Sequence, residues 1–554
     1  PYTTGGAINM VSTQIPNRFK ARVVASIGSF NTKRTYVNIG DERKNFGYVL
    51  EYNNRNSDGF KKIDNSTKNT GFEGNDYVAK FRVNTDADAK VYQSLTAKVQ
   101  YSEDLANETY LGLTEEDYNA NPYRRYAGSN EDYIDSEHKQ VMLSHFIKPS
   151  QNFNITTKAY KNDFARNWYK LDALKLGSTK VGINSILTDP TTYNAEYLAL
   201  TGANNTADNA LLVKANNRKY GAKGIQSVAN YNFGKGSLKH DLDFGFRYHE
   251  DYEDRFQWVD GYAIQNGVMN RTSNGTPGTD ANRITKAEAV AAHILYTISY
   301  DNFTFSPGIR YENINLQSIN YGSNDVSRTG TTVAKVDNHI DVWIPGMGIL
   351  YKINEDYNVF TSIHKGFSPP GAKAGEDAES SINSELGFRF RKNAFYGELI
   401  GYYNDFSNLQ GTDNMSGGGT GTGDLFNAGA AIVKGIEFSA TCEILNSTDK
   451  GYKLPLTFTY TLTDTKLNSD FNSPIWGNVE QGDEIPYIAK NQFALTAAFE
   501  TEKFDLALSG KYVDAFRTLA GAGAIPSQNK VNSNFIIDLS AKYHLSQKVS
   551  LMSN

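Results

Sequence analysis

The chain has 554 residues and a formal net charge of −5 at pH 7, with 56 Lys and Arg against 61 Asp and Glu. This near balance, with no basic patch interleaved with aromatic residues, gives no reason to expect nucleic-acid binding. The single cysteine, Cys442, excludes an internal disulfide framework and a cysteine-rich metal site. No stretch approaches the roughly 18 consecutive apolar residues of a membrane helix. Aromatic residues reach 12% and are mostly Tyr and Phe, which favour β-strands.

Apolar and polar residues alternate along many segments of the chain. In LTAKVQYS, Leu95 and Val99 share one face and Lys98 lies on the other. The same period of two recurs in LDFGFRYHE, FTFSPGIRYEN, GIEFSATCE and NFIIDLSAKY. One face carries apolar residues with aromatic residues at the strand ends, and the other is polar or charged. This pattern predicts β-strands with one apolar and one polar face.

The connections between the predicted strands alternate between short and long. Short turns near 149–151 and 301–302 are followed or preceded by long segments such as 165–219 and 253–285, which we predict to be loops. A soluble β-sandwich has no reason to place every long loop at one end. An outer-membrane barrel has short periplasmic turns and long external loops. The sequence therefore predicts an all-β fold, namely a transmembrane antiparallel β-barrel.

The number of strands bears on the type of barrel. We count roughly 21 predicted strands, the last being VSLMSN at the end of the sequence, whereas single-chain bacterial barrels have even strand numbers. A barrel of about 22 strands has a lumen wide enough to hold a plug. An open sheet edge in lipid would leave unpaired backbone groups, each costing several kcal/mol. We therefore expect a barrel of about 22 strands whose final strand is missing from this sequence.

The opening stretch, PYTTGGAINMVSTQIP, precedes the first predicted strand. It resembles the end of the plug domain of TonB-dependent outer-membrane transporters, a GG-x-IN run followed by a threonine. The matching residues are Gly5, Gly6, Ile8, Asn9 and Thr13. The resemblance implies that residues 1–16 are the C-terminal end of a plug domain and that residues 17–554 form the barrel. It also implies that most of the plug, with the segment that engages the TonB–ExbB–ExbD complex, lies upstream of this sequence.

Further segments carry the same resemblance. GSFNTKRTYVNIG and NFGYVLEYNNRNSDGFK look like the first barrel strands of the family. YLGLTEEDYNANPYRRY looks like the third external loop of the ferric citrate receptors, and FNITTKAYKNDFARNWYKLD looks like the strand rising into their fourth. The resemblance implies an active importer of a ferric chelate, with ferric citrate as the first candidate, in the outer membrane of a Gram-negative bacterium. Outer-membrane lipid and lipopolysaccharide would surround it.

The resemblance also implies where the ligand binds. A ferric citrate complex is anionic and rich in carboxylate oxygens, so its binding calls for Arg guanidinium groups with amide or hydroxyl donors at the outer end of the lumen. For any one position the alternative is a solvated loop arginine or a lumen salt bridge. Iron would arrive as part of the chelate, so no separate cofactor and no resident metal are expected. The positions in corresponding segments are Arg166, Arg218, Arg283 and Gln410, with Arg124 and Arg125 as further candidates.

Other interpretations stay open. The same fold could import another siderophore, a vitamin or a glycan. An outer-membrane enzyme or adhesin is less favoured, because no Ser/His/Asp arrangement or other catalytic cluster stands out. The segment HEDYEDRFQWVDGY, His249–Tyr262, groups several carboxylates with a histidine and could hold Ca²⁺, but it lacks EF-hand spacing. A solvated, self-paired surface is the alternative for that segment.

Overall fold

A computed structural model describes most of the chain: residues 3–4, 6–107, 110–331, 333–372, 376–412, 425–447, 451–473 and 475–554. Almost all of its regular structure belongs to one antiparallel sheet of 23 strands. Two of these, Val181–Gly182 and Val268–Ser273, only extend the sheet where longer strands end. The other 21 follow one another in chain order, as the sequence predicts.

We number these 21 strands β1 to β21. Each one pairs with the next along the chain. The strands are β1 Lys20–Gly28, β2 Thr32–Glu42, β3 Phe46–Ser57, β4 Phe72–Asn84, β5 Tyr92–Ala106, β6 Tyr133–Ser150, β7 Phe153–Leu174, β8 Leu211–Lys235, β9 Leu238–Gln265, β10 Ala281–Tyr300, β11 Phe303–Asn320, β12 Ala334–Lys352, β13 Tyr357–Ser368, β14 Glu379–Lys392, β15 Phe395–Asn408, β16 Ala431–Ser447, β17 Tyr452–Leu467, β18 Asn491–Thr501, β19 Phe504–Val513, β20 Asn534–His544 and β21 Ser550–Ser553.

The remaining elements lie in the connections. Four short strand pairs join Lys62–Ile63 to Arg124–Arg125, Gln410–Thr412 to Leu425–Asn427, Phe471–Ser473 to Gly477–Val479, and Phe516–Arg517 to Lys530–Val531. The α-helices are α1 Glu115–Ala120, α2 Ile183–Thr188 and α3 Asn194–Thr201, with 3₁₀ turns at Ala127–Ser129 and Ser527–Asn529. None of the helices that the structure describes has the length and apolar character of a membrane span.

Short and long connections alternate from β2 onward. The turns at 151–152, 236–237 and 301–302 lie at one end of the sheet, and the loops at 107–132 and 175–210 lie at the other. The first connection, 29–31, is short although it lies at the long-loop end, so the alternation is less strict than the sequence suggests. Among the described residues no pairing joins β1 to β21, and the expected closing strand stays a prediction.

The two faces of the sheet differ as the alternation predicts. On β9, Phe244 and Phe246 are about half exposed, with 50% and 45% of their surface accessible. Arg247 and His249 lie on the opposite face and form hydrogen bonds there. On β5, Lys98 is buried on the inner face between exposed Leu95 and Val99 on the outer face. An apolar outside and a polar inside are the arrangement of a lipid-embedded barrel.

The strands of one side rise far above a membrane. β8 has 25 residues and β9 has 28, whereas a tilted strand crosses the hydrocarbon with about 9–11 residues. Lys223, Glu250 and Glu288 stand at one register on the outer face of β8, β9 and β10. Because charged side chains are costly on the lipid face, this row marks the outer face as already clear of the hydrocarbon.

A compact apolar core lies among the loops at this tall side. It contains fully buried residues from the ends of β7, β8 and β9 and from the helices of the 175–210 connection, and it also packs Tyr126 from the 107–132 connection. Packing of this kind holds the two longest loops against the strand ends. The fully buried aliphatic residues are Leu171, Leu174, Ile186, Leu200, Leu211, Val213 and Ile264.

The first residues of the chain run along the inner face of the barrel. The Nζ of Lys80 donates to the carbonyl oxygens of Ser12 and Thr13, at 3.1 and 2.6 Å. Thr4 donates to Glu379. A Cβ on Gly40 would lie 2.6 Å from Cδ of Pro16, so β2 needs a glycine where this segment approaches it. The assignment of residues 1–16 to a plug domain stays a prediction; Gly5 of the matching run lies outside the described residues.

Candidate functional site

Four arginines face one another across four neighbouring strands. Arg166 on β7 pairs in register with Arg218 on β8, which pairs with Arg255 on β9, which pairs with Arg283 on β10. We call these four residues the arginine row. Neighbouring strands lie about 4.8 Å apart, so the row extends over roughly 14 Å. Three of its members are candidates that the sequence analysis named, and the sheet register brings them together.

The arginine row lies on the inner face. On β9 the exposed aromatic residues Phe244 and Phe246 occupy even positions, so Arg255 at an odd position points to the lumen side. Arg218 and Arg255 are only 5% and 9% exposed. From Leu238, the first residue of β9, to Arg255 the strand climbs roughly 40 Å at an ordinary tilt, well above an apolar band of about 25 Å. The row therefore stands at the mouth rather than within the membrane.

One carboxylate bridges the two central arginines. Glu253 Oε1 accepts a hydrogen bond from Arg218 Nη1, and Glu253 Oε2 accepts one from Arg255 Nε, both at 2.9 Å. Burial lowers the pKa of Arg255, and the neighbouring charges of Arg218 and Arg283 add to that effect, while Glu253 opposes it. Burial is the largest cause of this lowering, and the charges of the two neighbouring arginines act in the same direction. A second source of negative charge would be stabilised there.

Neutral hydrogen-bonding groups flank the row above and below. Tyr220 lies two residues from Arg218 on the same face, and its hydroxyl accepts from Arg166 Nη2 at 3.4 Å. On the other side, buried Gln257 donates to Asn216 at 2.7 Å. Arginine forks with amide and hydroxyl groups beside them are the donors that a carboxylate-rich anion requires.

The structure corrects the predicted bounds of the strands that carry the arginine row. The segments 165–219 and 253–285 were predicted to be loops, but β7 continues to Leu174, β8 begins at Leu211 and β9 continues to Gln265. The outer face of a strand that has left the hydrocarbon carries charged residues, so the apolar alternation fades before the strand ends. β10 likewise begins at Ala281, so Arg166, Arg218 and Arg283 are all strand residues with fixed directions.

Arg255 is the row member that sequence reasoning missed. It lies within His249–Tyr262, which the sequence analysis considered only as a cation site. Counting every second residue onward from Arg247 on the polar face of LDFGFRYHE reaches Arg255, so the signal was present. It could be used only by extending the strand beyond its last apolar residue.

The structure does not bring Arg124 and Arg125 into the row. Arg124 lies in the connection 107–132, where Nε donates to Asp64 at 2.8 Å and Nη1 donates to Asp117 at 2.6 Å. Its guanidinium also stacks on Tyr126. Arg125 Nη1 donates to the carbonyl oxygens of Pro122 and Arg124. Both arginines have partners within their own loop or the one beside it, so they are neither solvated loop arginines nor part of a lumen salt bridge.

Gln410 also lies away from the row, in the connection after β15. Its main-chain N–H donates to Glu379 and its side-chain amide donates to the carbonyl oxygen of Asp377, both at 2.8 Å. Glu379 is the residue that also binds Thr4. Gln410 therefore fastens its loop to the beginning of β14, next to the opening segment of the chain.

The proposed cation cluster at His249–Tyr262 is divided between the two faces of β9. Glu253 faces the lumen and bridges two arginines. Asp254 faces outward and accepts hydrogen bonds from both terminal nitrogens of Arg328, at 2.9 and 2.6 Å. Glu250, on the outer face, pairs with Lys223 at 2.7 Å. Among the described residues there is no group of three or more Asp, Glu, His or Cys side chains placed to hold a metal ion.

Comparison with known proteins places this geometry in context. A family model described as TonB dependent receptor-like, beta-barrel, matches residues 145–553. The unliganded ferric citrate transporter FecA superposes with a TM-score of 0.71 at 15% identity, over 97% of this chain and 73% of that one. The siderophore receptor PiuA from Acinetobacter baumannii gives 0.73 at 14% identity, over 99% and 78%.

The ferric yersiniabactin uptake receptor FyuA from Yersinia pestis gives a TM-score of 0.69 at 14% identity, over 98% of this chain and 75% of that one. Identities this low establish a shared fold and leave the ligand open. All three are described as transporters or receptors, and none as an enzyme.

Proposed function

The chain belongs to the TonB-dependent receptor family, whose barrels lie in the bacterial outer membrane and draw energy through TonB, and from this premise we propose that it imports a ferric chelate, with ferric citrate as the first candidate. The iron is cargo within the chelate, and the protein transforms nothing chemically.

The observation that carries the proposal is the arginine row. Ferric citrate presents several carboxylate oxygens around one metal ion, and a planar guanidinium can hold such oxygens through two parallel hydrogen bonds. A row roughly 14 Å long lets two or three guanidinium groups contact one small complex together. Its position above the membrane, on the inner face of the tallest strands, is where a ligand arriving from outside meets the lumen.

The transport sequence follows from this placement. The chelate binds at the mouth against Arg166, Arg218, Arg255 and Arg283, and the external loops then close over it. TonB, with ExbB and ExbD, pulls on the plug from the periplasm and opens a path through the lumen. In the structure, Lys80 ties the opening segment of this chain to the barrel wall through the carbonyl oxygens of Ser12 and Thr13.

The alternative cargoes differ in charge. A neutral glycan or vitamin can accept hydrogen bonds from guanidinium groups but brings no negative charge to offset theirs, whereas an anionic siderophore does. The arginine row thus supports an anionic chelate over a neutral cargo, and discrimination between anionic chelates is left to experiment.

The decisive experiment measures binding of ferric citrate, iron-free citrate and a ferric catecholate to the full-length protein in detergent. Trp168 on β7 lies two residues beyond Arg166 on the same face, so its fluorescence reports on the row. We expect the tightest binding for ferric citrate and its loss in a variant carrying Arg218→Gln and Arg255→Gln. The matched control is Arg389→Gln, on the inner face of β14, whose partner is Glu398. Equal and weak binding of all three ligands would remove ferric citrate as the cargo.

A further inference from the structure

Glu253 occupies the arginine row in the way that a ligand carboxylate would. Its two oxygens contact two different guanidinium groups, one nitrogen of Arg218 and one of Arg255, each at 2.9 Å. One carboxylate thus serves two guanidinium groups, which is the arrangement expected for a ligand carboxylate placed between two arginines. The Glu253 side chain is 21% exposed, against 6% and 11% for the two arginine side chains beneath it. Of these three side chains, Glu253 is therefore the most accessible from the lumen.

Other carboxylates near the row are engaged elsewhere. Asp254 points to the outer face and is held by both terminal nitrogens of Arg328. Asp251 lies two residues before Glu253 on the same face of β9 and contacts His249 at 3.1 Å. Asp280 pairs with Lys214 at 2.9 Å. Glu253 thus contacts the arginine row, while its acidic neighbours contact Arg328, His249 and Lys214.

Two hydroxyl groups beside Glu253 are alternative hydrogen-bond donors for its carboxylate. Tyr220 and Thr285 are its direct neighbours in the sheet register, one on β8 and one on β10. Both carry hydroxyl groups on the same face, two residues along their strands from the arginine row. These hydroxyls are the nearest donors by sheet register for a carboxylate that leaves Arg218 and Arg255, and a hydrogen bond from either would offset the cost of an unpaired charge.

We propose that Glu253 is a resident, exchangeable anion of the arginine row, and that an incoming anionic ligand binds by displacing its carboxylate from Arg218 and Arg255. In the empty receptor Glu253 relieves the repulsion between the central guanidinium groups. When ligand arrives, its carboxylates take over the same nitrogens. Glu253 consequently competes with ligand and sets how much negative charge a cargo needs in order to enter. This inference rests on the proposed function, because it assigns the anion site to the same row.

The test compares Glu253→Gln with Glu250→Gln. Both remove one charge from β9 with little change in shape, but Glu250 lies on the outer face with Lys223. The probes are iron-free citrate, inorganic sulfate and ferric citrate, titrated against the full-length protein while Trp fluorescence and heat are recorded. We expect Glu253→Gln to tighten binding of citrate and sulfate about tenfold and Glu250→Gln to leave it unchanged. Glu253→Ala leaves neither a carboxylate nor the amide that Gln would place there. We expect it to tighten anion binding as well, because the competing carboxylate is absent in both variants.

The outcomes separate this inference from the proposed function. If Glu253→Gln binds the anions no more tightly than Glu250→Gln does, or if neither variant nor the parent protein binds them at all, the exchange is refuted. If ferric citrate binds the parent protein but Glu253→Gln does not tighten it, the cargo stands and the exchange falls. If citrate and sulfate tighten as expected while ferric citrate fails to bind, the exchange stands and the cargo must be another anion. Heat-modifiable migration on gels confirms that each variant is folded.

Discussion

Two regions of the mouth contain arginines, and they use them in opposite ways. In the connection 107–132, Arg124 is held by two carboxylates, Asp64 and Asp117, and its guanidinium lies 5.4 Å from the centre of the Tyr126 ring. In the arginine row, like charges stand side by side on adjacent strands, and Glu253 bridges the middle two. In the first region one guanidinium lies between two carboxylates, and in the second region two guanidinium groups share one carboxylate. The comparison teaches that residue type and position at the mouth do not identify a binding arginine, whereas its neighbours across the sheet do.

The largest effect should come from removing the centre of the row. Replacing Arg218 and Arg255 together by Gln should weaken binding of the cognate anionic chelate about a hundredfold or more, because buried charge-assisted hydrogen bonds are lost. Equilibrium binding to the purified protein measures this. If the double variant binds as tightly as Arg389→Gln does, the row is not the anion site, and the contrast between the two regions loses its meaning.

A smaller loss is expected at the edge of the row. Arg166→Ala should weaken binding and iron uptake about tenfold, since one guanidinium is removed and the central pair remains. Uptake of labelled iron by cells that express the variant is the measurement, with the amount of folded barrel in the outer membrane as its control. Unchanged uptake at equal barrel levels would take Arg166 out of the site.

Replacing Arg124 should lower the stability of the 107–132 connection and leave the affinity for the chelate nearly unchanged. Arg124→Ala leaves Asp64 and Asp117 without their shared cation, and we expect the local free energy of opening of the 107–132 connection to fall by about 1–3 kcal/mol. Hydrogen exchange of this connection reports the loss, and chelate affinity should change by less than about threefold. A large loss of affinity with undisturbed exchange would assign Arg124 to the binding site after all.

The pH dependence of the same loop has a definite sign. Burial raises the pKa of Asp117, but hydrogen bonds from Tyr197 and Tyr126, together with the charge of Arg124, outweigh it and lower the pKa below its usual range. A lowered carboxylate pKa stabilises the folded state above the unfolded value, about 3.9, and this contribution is lost as the pH falls through the folded value. Exchange protection of the loop should therefore be level from pH 7 to about pH 5 and decline only below about pH 4. A decline that begins near pH 6 would point to a different group.

The smallest effect is expected at Gln410. Its main-chain contact with Glu379 survives a side-chain change, and only the bond to the Asp377 carbonyl oxygen is lost. Gln410→Ala should alter chelate affinity by less than about twofold. A tenfold loss in the same binding assay would extend the site across the mouth from β10 to β15.

The sequence predicts the membrane-embedded part of this fold well and the exposed part poorly. The alternation at Leu95, Lys98 and Val99 is imposed by lipid on one side and water on the other, so strand number and direction could be inferred. Above the hydrocarbon both faces are wet, and the alternation that would reveal the ends of β7 to β9 disappears. For the same reason Arg166 and Arg218 could be named while their pairing could not.

The partners of Arg124 and Gln410 could not be predicted from the sequence for a different reason. Asp64 and Arg124 are separated by one complete pair of strands, and Glu379 and Gln410 by another, so their contacts depend on how loops return over the barrel. Arg255 shows the middle case, because its direction follows from strand parity once the strand is known to continue. The local pattern fixes which way a side chain points, and only the assembled sheet fixes what it meets.

The unequal strand lengths give the barrel a slanted opening. β7 to β10 have 20 to 28 residues, while β18, β19 and β20 have 10 or 11. The high side carries the arginine row, whereas above the short strands the wall continues as the connections 468–490 and 514–533 instead of as sheet. Entry past these connections would bring a solute from the side of the molecule directly towards the guanidinium groups on the tall wall.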